Sequence, residues 1–172
     1  MGRLEGKKAI VTGAGAGIGE SISVFFAREG ASVICIDLNG DTANDTAAQI
    51  NDAGGTAIAV EADVADEQTF VDAVEMAKRE FGGLTTLVSN AIFDLPYVPI
   101  TEIPTEGWMR TMDVNLNATY FFCKHAIPVI TDCGGGSIIL VASQLGQVAR
   151  PGRPWYCAQK GAMINLARAL AL

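Results

Sequence analysis

Tyr156 and Lys160 stand four residues apart in Trp155-Tyr-Cys-Ala-Gln-Lys160, inside an apolar-periodic stretch that predicts a helix from Trp155 to Leu172. At that spacing both side chains lie on one face, one turn apart. An ammonium beside a phenol favours the phenolate, so a group that ordinarily ionises near pH ~10 becomes usable as a general acid/base nearer neutrality. Ser143 precedes Tyr156 by thirteen residues and follows the apolar run Ser137 to Val141, where its hydroxyl could hold a substrate oxygen. Asn115 falls in the middle of a predicted helix, where a short amide either faces solvent or has a specific task. A Tyr–Lys pair one turn apart is also an ordinary helix-surface pattern. These four residues therefore mean chemistry only if the fold brings them together.

A second set of residues suits anion binding. The run Thr12-Gly13-Ala14-Gly15-Ala16-Gly17-Ile18-Gly19 follows the apolar stretch Ala9 to Val11 and leads into a helical pattern from Ile18 to Arg28. A strand, a glycine turn and a helix start make a phosphate-cradling unit: glycine permits positive φ, close backbone approach to a pyrophosphate and tight helix–strand packing. Asp37 lies 18 residues beyond Gly19, at the carboxyl end of the next apolar run, Ala31 to Ile36. At about that offset a carboxylate can accept hydrogen bonds from adenosine ribose hydroxyls and would repel a 2'-phosphate. The competing role for Asp37 is to cap the helix beginning near Gly40.

The elements that must position these groups follow from periodicity and breakers. Helix is expected over Asp41 to Ala53, strand over Thr56 to Val60, helix over Asp66 to Phe81 and strand over Thr85 to Val88, with Gly54-Gly55 and Gly82-Gly83 as stops. Ala91 to Thr105 reads as loop with one short helical turn. A long helix is expected from Pro104 to Ile130, with Trp108, Met112, Leu116, Tyr120 and Ile127 on one face, and a fifth strand over Ser137 to Val141. This βαβαβαβ alternation predicts right-handed crossovers and a doubly wound parallel α/β sheet, with its ligand crevice beyond the strands' carboxyl ends. Asp37, Asp63, Asn90 and Ser143 all fall at that edge. No repeat or internal boundary interrupts the chain, so residues 1–172 are expected to form a single domain.

Composition narrows the partners. The chain has 172 residues, 49% of them hydrophobic, and 12 Lys+Arg against 19 Asp+Glu give a net charge of -7. That balance argues against nucleic acid or an anionic membrane as the main partner. The polar N-terminus and the absence of a long apolar run suggest the cytosol. Four cysteines without CxxC spacing and one histidine suggest neither a metal site nor a disulfide framework.

The glycine turn together with Asn115, Ser143, Tyr156 and Lys160 resembles the short-chain dehydrogenase/reductase family, matching its TGxxxGxG turn and its catalytic tetrad in order and spacing over essentially the whole chain. The resemblance implies a Rossmann fold with strand order 3-2-1-4-5 and an NAD(H)-dependent oxidoreductase that moves hydride between nicotinamide and a secondary alcohol or ketone. It implies that Tyr156 protonates or deprotonates the substrate oxygen, Ser143 orients and polarises it, Lys160 assists Tyr156 and holds the nicotinamide ribose, and Asn115 anchors a water relay to Lys160. Cofactor contacts are implied for Gly13, Gly15, Gly17, Ile18, Gly19, Asp37, Asp63, Val64, Asn90, Ala91, Tyr156 and Lys160, with Asp63 and Val64 at the adenine. It also implies a homo-oligomer, a tetramer or a dimer.

Two features depart from the family pattern. The NNAG run after the fourth strand appears as Ser89-Asn90-Ala91-Ile92, which puts a branched side chain where the cofactor approaches the backbone. Family members usually run longer, and this chain ends within the helix carrying Tyr156 and Lys160. Two further strands and the substrate-covering loop are expected to be missing, so the 172 residues alone are not expected to turn over substrate. These features leave a catalytically silent NAD-binding module as the alternative reading.

Overall fold

In a computed structural model describing residues 2–172, five parallel strands form one sheet in the order β3-β2-β1-β4-β5. The strands are β1 (Lys8–Thr12), β2 (Ser32–Asp37), β3 (Thr56–Glu61), β4 (Thr86–Ser89) and β5 (Ser137–Leu140). Between them run α1 (Gly17–Arg28), α2 (Gly40–Asp52), α3 (Glu67–Phe81), α4 (Thr105–Met112) and α5 (Ala118–Asp132), and α6 (Pro154–Leu170) follows β5. The order matches the alternation read from the sequence.

The central strands are apolar on both faces because both faces are covered. In β1, Ala9 and Val11 point to one side with Val33, Cys35 and Val88, beneath α1 and α2. Ile10 points to the other with Ile34, Ile36 and Leu87, beneath α3 and α5. The period of two thus assigns the smaller side chains to one layer and the larger to the other. The rings of Phe70 on α3 and Phe122 on α5 stack at 4.7 Å and close the second layer.

Helix ends follow local chemistry. The Asp66 carboxylate accepts the Gln68 N–H to start α3, and Gly82, in the left-handed conformation at φ 72°, ends it. The start of α1 is different: Ala16 occupies the cap position and offers no side-chain acceptor. Its first N–H groups therefore face the carboxyl edge of the sheet without a protein cap.

The long helix departs from the sequence reading. A π-turn, Asp113–Asn117, separates α4 from α5, and the Ala118 N–H bonds to the Asp113 carbonyl five residues back. The extra residue rotates the face that follows it. Val114, Ala118, Phe122, Ala126 and Ile130 are buried, whereas Tyr120, expected on the apolar face, is 56% exposed. The short turn expected between Ala91 and Thr105 is the 3₁₀ segment Ile100–Glu102.

Candidate active site

The glycine turn leaves β1 and doubles back onto α1. Gly13 has φ of 64°, where a side chain would be strained, and a Cβ there would also meet the Ala91 backbone at 2.9 Å. Gly19 is required for proximity: a Cβ would come within 1.9 Å of the Gly13 carbonyl oxygen. Gly17 and Ile18 open α1, and the Ile18 side chain is 62% exposed.

Asp37 holds this turn. Its Oδ2 accepts the Gly15 N–H at 2.8 Å and its Oδ1 accepts the Asn39 N–H at 3.0 Å. The helix-capping alternative falls to Asn39, whose side chain accepts the N–H groups of Asp41 and Thr42. Asp37 is thereby free of the cap and stands at the end of β2 facing the glycine turn.

Across β1, Thr12 and Asn90 tie the turn to the end of β4. The Thr12 hydroxyl accepts the N–H groups of Asn90 and Ala91 at 3.0 and 3.1 Å, while Asn90 Nδ2 donates to the carbonyls of Thr12 and Gly13. Thr12 was visible in the motif, but a positioning role for its hydroxyl was not.

A cleft runs along this edge, with Gly13, Asp37, Asp63, Val64, Ala91 and Ile92 among its walls. Asp63 Oδ2 pairs with Arg110 Nη2 at 2.8 Å, and its Oδ1 accepts the Ala65 N–H at 2.9 Å. Partial burial works against the charge, but the Ala65 N–H and the Arg110 guanidinium outweigh it and hold the carboxyl below the usual aspartate range. A carboxyl whose folded pKa lies below its unfolded one stabilises the fold above about pH 4, and that contribution disappears as pH falls through the lowered value. The melting temperature of wild type should therefore exceed that of Asp63→Asn at pH 7, with the gap closing below about pH 4; a gap independent of pH would remove the ion pair as its cause.

Asn115 lies within the π-turn and is buried, so it has a task and does not face solvent. Its Oδ1 accepts the Phe93 N–H at 2.7 Å, and Nδ2 donates to the Phe93 carbonyl and to Gln159 Oε1, both at 2.8 Å. Gln159 in turn donates to the Thr111 hydroxyl at 2.6 Å. This network fastens the loop after β4 to α6 and accounts for the irregular turn, since leaving such buried amides unpaired costs ~1–3 kcal/mol each. Both N–H groups of the Asn115 side chain are thus taken by Phe93 and Gln159. Gln159 is next to Lys160 in the chain, yet its amide gave no signal distinct from a surface residue.

Ser143 follows β5 and caps the 3₁₀ turn Gln144–Gly146, its Oγ accepting the Leu145 N–H at 3.1 Å. With a lone pair so occupied, the hydroxyl proton can be donated elsewhere. Gly146 packs against the Lys160 backbone so closely that a Cβ would sit 2.5 Å from the Lys160 carbonyl oxygen. Lys160 is buried and its Nζ donates to the Val141 carbonyl, two residues before Ser143, at 2.5 Å. Burial pushes its ammonium pKa down. Tyr156 is half-buried on the first turn of α6, its ring 5.6 Å from Lys160 Nζ. Lys160 thus lies beside the Tyr156 ring and against the backbone just before Ser143, where the β5 end meets α6.

Among the described residues no three His, Cys, Asp or Glu side chains converge as metal ligands, and no helix is long and apolar enough to cross a membrane. Cys35 and Cys123 are buried, with thiols pushed up to about 11 by desolvation.

Comparison with known proteins agrees with this fold. Residues 7–172 match the family model described as short chain dehydrogenase. The chain is 39% identical over 170 residues to the 2,5-dichloro-2,5-cyclohexadiene-1,4-diol dehydrogenase LinX of Sphingobium indicum, covering 99% of this chain and 68% of that one. It is 35% identical over 170 residues to a cyclohexanol dehydrogenase of Acinetobacter sp., with the same coverage of 99% and 68%. The crystal structure of carveol dehydrogenase from Mycobacterium avium in complex with NAD superposes with a TM-score of 0.95 at 30% identity, covering 99% of this chain and 66% of that one. The chain thus spans about two thirds of the length of these relatives. By family match, fold and relatives, it belongs to the short-chain dehydrogenases, a family of oxidoreductases.

Proposed function

We propose that this chain carries the cofactor site and acid/base machinery of an NAD-dependent dehydrogenase that oxidises secondary alcohols, preferentially on rings, to ketones. The observation that supports the reading is the place of Lys160, whose Nζ is anchored on the Val141 carbonyl two residues before Ser143 and lies 5.6 Å from the centre of the Tyr156 ring. The ring preference rests on the relatives named for cyclic substrates, a cyclohexadienediol and cyclohexanol.

A dinucleotide fits the residues present. The uncapped start of α1, with Gly13, Gly15, Gly17, Ile18 and Gly19 around it, suits the pyrophosphate, and Asp37 suits the adenosine ribose. Asp63 and Val64 would line the adenine side of the cleft, with Asn90 and Ala91 beside the turn. Tyr156 and Lys160 would meet the nicotinamide ribose. When bound, NAD supplies the hydride acceptor; the protein supplies geometry and proton transfer. In alcohol oxidation the Ser143 hydroxyl donates to the substrate oxygen and the Tyr156 oxygen accepts the hydroxyl proton. Any relay from Asn115 toward Lys160 would run through its backbone carbonyl, because its side-chain N–H groups are occupied.

Lys160→Met removes a buried charge and the bond to Val141 while keeping the side chain's length. Turnover should fall at least ~100-fold and the KM for NAD should rise, with little loss of thermal stability because an ammonium's desolvation penalty is also removed. An unchanged KM for NAD would remove the ribose-binding role.

A silent NAD-binding module is the second reading, favoured by Ile92 on the wall of the cleft, 47% exposed. Steady-state absorbance at the reduced-nicotinamide band, with cyclohexanol, a cyclic diol and an open-chain polyol, separates the two. The dehydrogenase reading expects NAD reduction, greatest with the cyclic alcohols; NAD binding without reduction by any of them would favour the silent module.

A further inference from the structure

Beside Tyr156 lies a group of side chains that the acid/base reading leaves unused. Arg153 occupies the position just before α6, three residues from Tyr156, and its guanidinium carbon sits 4.3 Å from the centre of the Tyr156 ring. The Tyr97 ring centre lies 4.8 Å from the same carbon. Arg153 Nη2 is ion-paired with Asp94 Oδ2, and the Arg153 side chain is only 13% exposed. Asp94 Oδ1 also accepts the Trp155 indole N–H at 3.4 Å. The backbones are tied as well, by the Val98 N–H to the Gly152 carbonyl at 3.2 Å. Two loops distant in sequence, the one after β4 and the one before α6, thus meet at a single guanidinium.

Arg153 Nε is buried with no hydrogen-bond partner. An N–H left in that state opposes folding, so the guanidinium is held there by its other contacts: the carboxylate at one corner and two aromatic rings whose centres lie within 5 Å. Lysine could not reproduce this, having neither the plane that stacks nor the fork that grips a carboxylate.

We propose that Arg153 is a positioning residue for Tyr156: anchored by Asp94 and packed against the Tyr97 and Tyr156 rings, it fixes the orientation of the phenol and couples the loop after β4 to proton transfer. The proposal rests on Tyr156 being the acid/base. A phenol free to tilt spends less time aligned with the substrate hydroxyl, and misplacements of about an ångström can cost up to ~100-fold in rate.

The test uses the full-length protein with NAD and cyclohexanol and compares Arg153→Met, Arg153→Lys, Asp94→Asn and the double variant Asp94→Asn/Arg153→Met. Arg153→Met and Asp94→Asn should each lower kcat by about tenfold while the KM for NAD stays within about twofold, and the double variant should be no worse than Arg153→Met alone. Arg153→Lys should recover less than half of the lost kcat. If carbinol-deuterated cyclohexanol is used, the isotope effect on kcat should rise in the impaired variants as the chemical step slows. Should Arg153→Met fail to fold, Asp94→Asn releases the guanidinium without altering α6 and decides the matter. A kcat within twofold of wild type in Asp94→Asn and in every folded Arg153 variant, or a loss matched by weakened NAD binding, would overturn the proposal. Tyr156→Phe, run alongside, isolates the premise: if that variant keeps its turnover, the acid/base reading fails, whatever Arg153 does.

Discussion

Replacing Tyr156 with Phe is expected to lower kcat on the order of 10²–10⁴-fold, the range general acid/base catalysis supplies, while NAD affinity changes by less than about twofold. The ring would keep its contacts with the Arg153 guanidinium, 4.3 Å from its centre, and Lys160 Nζ at 5.6 Å, because both are made by the ring and not by its oxygen. Only the atom that carries the proton is lost. A fall in kcat without a change in NAD binding therefore separates proton transfer from cofactor positioning, which Lys160→Met would disturb together. Steady-state kinetics with cyclohexanol, combined with a direct NAD titration of the variant, gives both numbers. A Tyr156→Phe enzyme with most of its turnover would move the proton to another group.

The second large effect concerns the cofactor. The full-length enzyme is expected to prefer NAD over NADP on the order of 10²–10³-fold in kcat/KM, since facing a 2'-phosphate with the Asp37 carboxylate places like charges together at a cost of several kcal/mol. No Arg or Lys lies between Gly13 and Gly19 to offset it. Asp37 also accepts the Gly15 N–H at 2.8 Å, so a substitution that removes the acceptor would loosen the phosphate turn and confuse two causes. Asp37→Asn keeps an acceptor oxygen and removes the charge. It should narrow the preference at least tenfold, chiefly by improving NADP, whereas an unchanged ratio would place the discrimination elsewhere.

These expectations rest on features unequally legible in the chain. The strands and the edge that gathers Asp37, Asp63, Asn90 and Ser143 could be read from short apolar runs punctuated by glycine, because burial of the central strands on both faces leaves little other composition possible there. Gly82 at the end of α3 was similarly plain. The π-turn was not, because it arises from a tertiary bond: Asn115 reaches Phe93, 22 residues away, and the helix yields to it. The stripe of Trp108, Met112, Leu116, Tyr120 and Ile127 keeps a helical spacing, but one added residue at Asp113–Asn117 turns the helix that follows, so that Tyr120 is exposed, Ile127 is only partly buried, and Val114, Ala118, Phe122 and Ala126 fill the core. The choice between two roles for Asp37 turned on Asn39, two residues on, whose side chain takes the cap. Arg153 was within reach of a spacing argument, standing three residues before Tyr156, but its partners Asp94 and Tyr97 lie in a loop without period.

The central claim, that the Ser143–Tyr156–Lys160 end of the sheet carries out hydride transfer from an alcohol to NAD, is tested most directly by following the hydrogen itself. The full-length protein is incubated with NAD and cyclohexanol deuterated at its carbinol carbon, and the nicotinamide is examined by NMR. Deuterium at C4 of the reduced ring, with cyclohexanone formed in equal amount, is the predicted result. NAD that binds but stays oxidised, with this alcohol and with the cyclic diol and polyol similarly labelled, would contradict the claim and leave a binding module in its place.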